Sequence, residues 1–208
     1  MRYFLGLALL LASTEGYAGS IVGKLNIGGR QEADRTVVYV EKVDPRFFKV
    51  PKGSVRLSQR GQKFRPTVLP VVAGSDIDMT NDDFVVHNIY SNSQTKHFNL
   101  EEQSAWNTDT GKGSAKSSSL PSPVVKFAQQ GEVDIHCNIH ANMKGAILVL
   151  QNPFFTKPDA EGNFKIDDVP EGDYTLKVYG FDPNGSRSSS KSTKITVKKA
   201  EPTSASFE

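Results

Sequence analysis

Disulfide staples are missing from this chain: its 208 residues include one cysteine, Cys137, so no intramolecular bridge can hold the fold. Long stretches of helical periodicity are absent too, which argues against a helical bundle. Beyond the first dozen residues no apolar run approaches the roughly 20 residues that a membrane-crossing helix needs. Charge of one sign is not in excess either. With 25 Lys and Arg against 23 Asp and Glu, the net charge is +2, which gives no case for nucleic acid or an anionic membrane as partner. Histidine is scarce as well: there are four, so imidazole chemistry has few candidates.

What is present begins with a short apolar run, Tyr3 to Ala12, preceded by Arg2 and followed by the small residues Gly16 and Ala18. The run is too short to span a bilayer and has the form of a secretory signal, with cleavage expected after Ala18. The mature protein is therefore expected in the periplasm or outside the cell. A lone thiol in such an oxidising compartment needs protection. Burial as an inert core residue would provide it, and so would ligation to a metal.

Many short runs rich in Val, Ile, Phe, Tyr and Thr, separated by Gly, Pro and Asn turns, predict an all-β sandwich. Strands are expected at 20–27, 35–43, 63–72, 75–80, 84–90, 123–128, 132–137, 145–151, 163–167, 173–180 and 193–198. The Ser- and Gly-rich stretch 107–119 is expected to be a surface loop, 182–192 a flexible hairpin tip, and 201–208 a flexible tail. Trp106, the sole tryptophan, suits either a core position or a partner surface.

The chemistry concentrates in "HCNIHANMKG", residues 136–145. Along "EVDIHC", Val133, Ile135 and Cys137 fall on one face of a strand, and Asp134 and His136 on the other. The apolar company turns Cys137 inward, at the strand's end. A tight loop would then return His140 and Met143 over the same end. Among the remaining histidines, His136 points away by parity and His97 lies beside a loop. His87, in an apolar stretch and followed by Asn88, is the best further candidate. Two imidazoles, a thiolate and a thioether form a soft donor set that suits copper, whereas zinc gains little from a thioether and hard cations want oxygen.

The spacing resembles the cupredoxins. The C-x2-H-x2-M loop is similar to the short amicyanin type, and "FRPTVLPVVAGSDIDMTNDDFVVHN" is similar to the strands that lead to the first ligand histidine of that fold. The resemblance covers about 60–150. It implies a Greek-key β-sandwich or barrel holding one type 1 copper ion, with His87, Cys137 and His140 as equatorial ligands and Met143 as the axial one. Asn88 would hold the ligand loop and donate to the sulfur from just outside the coordination sphere. One departure is Ile139, where familiar members often carry proline.

Downstream, "NPFFTKPDAEGNFKIDDVPEGDYTLKVYGF" resembles the closing strands of the transthyretin-like, carboxypeptidase-regulatory β-sandwich, and "SIVGKLNIGGRQEADRTVVYVEKV" resembles its opening ones. This implies a signal peptide at 1–18, a discontinuous regulatory-like sandwich at 19–52 and 152–200, and a cupredoxin domain at 53–151 inserted in it. The combination resembles exported proteins of the methylamine-utilisation-like group.

A one-electron carrier is the function this implies, monomeric and without a catalytic set, docking a redox donor or acceptor near His140. The alternatives are a copper storage or delivery protein without redox partners, and an interaction module with no metal. A thiol hydrolase pairing Cys137 with His140 would need an exposed thiol, against the inward parity of Cys137.

Overall fold

The structure, a computed structural model, describes residues 18–50, 52–103, 122–184 and 189–207. Residues 1–17 of the expected signal segment, the 107–119 loop and Trp106 lie outside the described residues, whereas Ala18 opens the first strand. Within them the chain is all-β, apart from one helical turn, α1 (Arg30–Ala33), and a 3-10 turn at Pro45–Phe47.

Two strands open the chain, β1 (Ala18–Lys24) and β2 (Thr36–Val40). The middle supplies β3 (Ser54–Gln59), β4 (Phe64–Arg65), β5 (Val68–Val72), β6 (Ser75–Asn81), β7 (Tyr90–Asn92), β8 (His97–Asn99), β9 (Val124–Phe127), β10 (Gly131–His136) and β11 (Lys144–Leu150). The end supplies β12 (Phe155–Thr156), β13 (Asn163–Pro170), β14 (Gly172–Gly180), β15 (Ser189–Val197) and β16 (Pro202–Ala205). The middle strands form two sheets, β5-β11-β10-β7-β8 and β4-β3-β6-β9, and pair with no others. The first and last strands form two more, β13-β1-β16 and β12-β2-β14-β15.

Each pair of sheets closes on its own apolar core, as alternating strands must. In the central sandwich Leu57, Phe64, Ile77, Met79, Phe127, Val133, Ile135 and Ile147 pack together, and Cys137 and Met143 belong to the same cluster. In the flanking sandwich Ile21, Val38, Val40, Phe164, Ile166, Leu176 and Val197 do so. A third cluster (Val37, Val68, Ala146, Leu148, Leu150 and Tyr179) joins the two. β11 is buried along almost its whole length because one face serves the central core and the other the junction.

Polar contacts fix that junction. The Asp34 carboxylate accepts from Thr67 N at 3.0 Å, and Lys157 Nζ donates to the Asp34 and Val68 carbonyls at 2.5 and 2.9 Å. Burial by itself raises the Asp34 carboxyl, but Thr67 and the Lys157 ammonium outweigh it and hold the group below its ordinary value. Lys157 is also lowered, because burial outweighs the pull of Asp34. The two shifts point in opposite senses for the pair. The favourable side is the carboxylate, which has a backbone donor as well as a cation; the ammonium mainly bears the burial cost. The Asp34 side chain is 40% exposed and solvent screens the pair, so Asp34→Asn is expected to destabilise the fold by no more than about 1 kcal/mol at neutral pH. A group with a depressed folded pKa contributes fully above its unfolded value of 3.8, and the contribution is lost as pH falls through the folded one. Urea unfolding of both proteins should show the difference at pH 7 and its decline as pH falls below 3.8.

Several expected elements differ. The 63–72 strand is interrupted at Pro66, which has no N–H to give the ladder. The 84–90 strand does not form: residues 83–85 bend, His87 makes a lone bridge to Gln103, and pairing starts only at Tyr90. The tail is not free. β16 runs parallel to β1, Ala205 is buried, and Phe207 packs on Phe164 with ring centroids 6.2 Å apart. Short polar residues hid this strand, since one apolar side chain every few positions suffices at an edge. Part of the expected hairpin tip is also regular, because β15 already pairs with β14 from Ser189.

Candidate metal centre

Antiparallel pairing brings the two distant donor segments to one place. β7 and β10 meet at Tyr90 opposite His136. In an antiparallel pair, the residues before one strand and after the other lie at the same end. His87 precedes β7 by three residues, and Cys137 follows β10 by one. Asn88 fastens the two, its Oδ1 accepting from Asn138 N at 2.9 Å.

The 137–143 loop is closed by its own backbone. Cys137 N donates to Met143 O at 3.2 Å, and Met143 N to His140 O at 2.9 Å. β10 and β11 pin its ends through the pairs His136–Lys144 and Ile135–Gly145. Gly145 is required here by a close approach: a Cβ would lie 2.6 Å from the Thr67 carbonyl.

His87, Cys137 and His140 each offer a donor atom, and these atoms all lie within 4.8 Å of one another. The two Nδ1 atoms are 3.1 Å apart, and His140 Nδ1 is 3.8 Å from Cys137 Sγ. An ion in a trigonal plane, about 2.0 Å from each nitrogen and about 2.3 Å from sulfur, would separate its donors by roughly 3.5–3.7 Å. The residues present fit such an ion with small adjustments. His87 is fully buried and Cys137 is 4% exposed, whereas His140 is only partly covered. Met143, 1% exposed, lies in the apolar cluster that also contains Cys137. His136 stacks on Tyr90 at 5.5 Å and His97 stands exposed in β8, so neither joins the cluster.

Asp83 is the residue that the sequence did not single out. Its Oδ2 lies 3.0 Å from His87 Nε2 and also accepts from Gln62 N at 2.8 Å, while its Oδ1 accepts from Phe84 N at 2.9 Å. Burial raises the carboxyl, but these three donors more than compensate and hold it down to about 2. An ionised carboxylate is acceptor only, so Nε2 of His87 donates to it, and in the neutral ring Nδ1 then presents its lone pair towards His140. Asn81 shapes the segment around it: Oδ1 accepts from Asp83 N, and Nδ2 donates to Val85 O and Gln103 O. The adjacent Asp82 turns the other way, to Arg56 and Ser58. The "NDD" step before His87 was visible, but only the bend at 83–85 brings position 83 back to the ring.

Apolar residues next to the two histidines in sequence are exposed. Phe84 is 67% exposed and Ile139 43%, and Val85 and Val86 are also exposed. Phe84, Val85 and Val86 precede His87, and Ile139 precedes His140.

No family model and no curated protein matches the chain. Among solved structures it is similar to a purple cupredoxin from Nitrosopumilus maritimus, at 20% identity over 46% of this chain and 99% of that one, with a TM-score of 0.36. It is also similar to a copper-containing nitrite reductase from Thermus scotoductus SA-01, at 21% identity over 48% of this chain and 23% of that one, TM-score 0.38. A reduced amicyanin variant matches at 19% identity over 49% of this chain and 86% of that one, TM-score 0.32. With TM-scores this low, the functional reading rests on the donor atoms themselves.

Proposed function

We propose that this protein is an exported copper-binding protein of cupredoxin type that carries single electrons. The observation that carries the reading is the convergence of two imidazole nitrogens and one buried thiol within 4.8 Å. His87, Cys137 and His140 would hold the ion, with Met143 as a weaker fourth donor. This set favours copper over zinc or a hard cation. When bound, copper supplies a Cu(II)/Cu(I) couple.

The chain's own part is to keep the donors fixed. Asp83 sets the tautomer of His87, Asn88 ties the two donor segments, and the loop's two backbone bonds hold His140 in register. The apolar cluster keeps bulk water from Cys137. A scaffold rigid around both oxidation states keeps rearrangement small. His140, partly exposed and bordered by Ile139, gives the edge at which a redox partner would approach. A small apolar contact with few charges suits a brief encounter.

The test is metal analysis, a visible spectrum and voltammetry of the full protein loaded with Cu(II). One copper per chain, intense thiolate-to-copper absorption and a reversible one-electron wave are expected. A colourless protein that holds only Cu(I) would replace the carrier reading with storage or delivery. Failure to retain copper would remove both.

A further inference from the structure

We propose that the cleft between the two sandwiches binds a carboxylate-rich surface segment of a partner protein, which gives the flanking sandwich a recruiting role. The cleft is a cavity of about 570 Å³. Arg30 and Arg35 line one wall, from the flanking sandwich; Lys63, Arg65 and Lys144 line the other, from the central one; Met143 of the donor loop is among the lining residues.

Charge is what distinguishes this place. The chain as a whole carries only +2, yet five cationic residues line this one cavity, with Arg35 also lining a second cavity and Arg65 Nε donating to the Arg60 carbonyl. Among the described residues none of the five lies within ion-pair distance of a carboxylate. The carboxylate that does line the cleft, Asp34, is already satisfied by Lys157 and Thr67 N. Cations gathered in a concave site add their fields and attract anionic groups from a distance. Guanidinium groups favour carboxylates through paired, planar hydrogen bonds.

Size and rigidity select the kind of anion. The volume exceeds what one small ion fills and falls in the range of a ligand several groups long. The walls do not need to assemble on binding, because the Asp34–Thr67–Lys157 contacts and the third apolar cluster already lock the sandwiches together. An acidic segment seated here would lie beside the loop that carries His140 and Met143. The proposal rests on the carrier reading for the redox nature of the partner, whereas the attraction for carboxylates stands on the cleft alone.

The test uses the full chain, copper-loaded and metal-free, with a fluorescently labelled hexaglutamate peptide followed by anisotropy and hexaglutamine as control. Hexaglutamate is expected to bind both forms, to weaken as salt is raised, and to lose at least about 10-fold in affinity in Arg30→Glu/Arg35→Glu. That variant should keep the wild-type copper content, visible spectrum and unfolding midpoint. Binding no tighter than hexaglutamine, or unchanged in the double variant, would overturn the proposal. So would triphosphate occupying the cleft while hexaglutamate does not. A protein that retains no copper but still binds hexaglutamate through Arg30 and Arg35 would sink the carrier reading and leave the cleft standing.

Discussion

Cys137→Ser is expected to abolish the visible charge-transfer absorption of the copper-loaded protein and to reduce copper retention more than any other single change. Serine nearly preserves the shape of cysteine, so the fold should survive; placing a hydroxyl in the apolar cluster around Ile135 and Met143 costs about 1–2 kcal/mol. The chemistry does not survive. A hydroxyl is far harder to ionise than a thiol and is a hard donor, whereas the set formed by His87, His140 and Met143 is suited to a soft one. Loss of a direct ligand should exceed the roughly 10–100-fold that loss of an outer partner costs. Metal analysis after dialysis, with far-ultraviolet circular dichroism as a check on folding, measures both halves. A variant that keeps its copper and its spectrum would show that the sulfur is not a ligand. The same substitution discriminates against a metal-free interaction module, for which it should change neither metal content nor partner binding.

Asp83→Asn is expected to lower copper affinity by about 10–100-fold, with Cys137 and both histidines untouched. Three N–H donors converge on two carboxylate oxygens: Gln62 N and His87 Nε2 on Oδ2, and Phe84 N on Oδ1. An amide can satisfy only part of this, because its NH2 must face a donor whichever way it is turned. With Oδ1 towards His87 the ring keeps its tautomer but Phe84 loses its acceptor. Turned the other way, Nε2 of His87 meets a donor and the proton moves to Nδ1, the atom that faces His140. Titration against a copper chelator gives the affinity, and the imidazole nitrogen resonances of the metal-free protein give the tautomer. Asp83→Glu is the useful companion: it keeps the charge and tests whether reach matters. Unchanged affinity with an unchanged tautomer in Asp83→Asn would show that the bend at 83–85, not the carboxylate, orients the ring.

How much of this was legible in the residues differs from element to element. The all-β class followed from period-two alternation, and the inward turn of Cys137 followed from Val133 and Ile135, because a strand's side-chain period is fixed whatever surrounds it. The soft character of the donor set was equally plain, since it depends on residue types alone. The bend before His87 was not legible: "FVVHNIY" has the composition of a strand, but Asn81 and Asp83 divert its backbone into side-chain hydrogen bonds. The edge strand at 202–205 was missed for the opposite reason, since little in "PTSA" signals pairing until β1 offers an open edge.

By itself the sequence determined which atoms were available and which face of each regular strand they would occupy, because local sterics and alternation act over neighbouring residues. Only the tertiary structure decided which of those atoms meet. The pairing of β7 with β10 carries His87 across fifty positions to Cys137, and the bend brings Asp83 to its far side. The docking of two sandwiches through Val37, Val68, Leu148 and Tyr179 sets arginines from one end of the chain beside lysines from its middle. Such meetings depend on register and on packing between surfaces remote in sequence, and no local pattern encodes the distance between them.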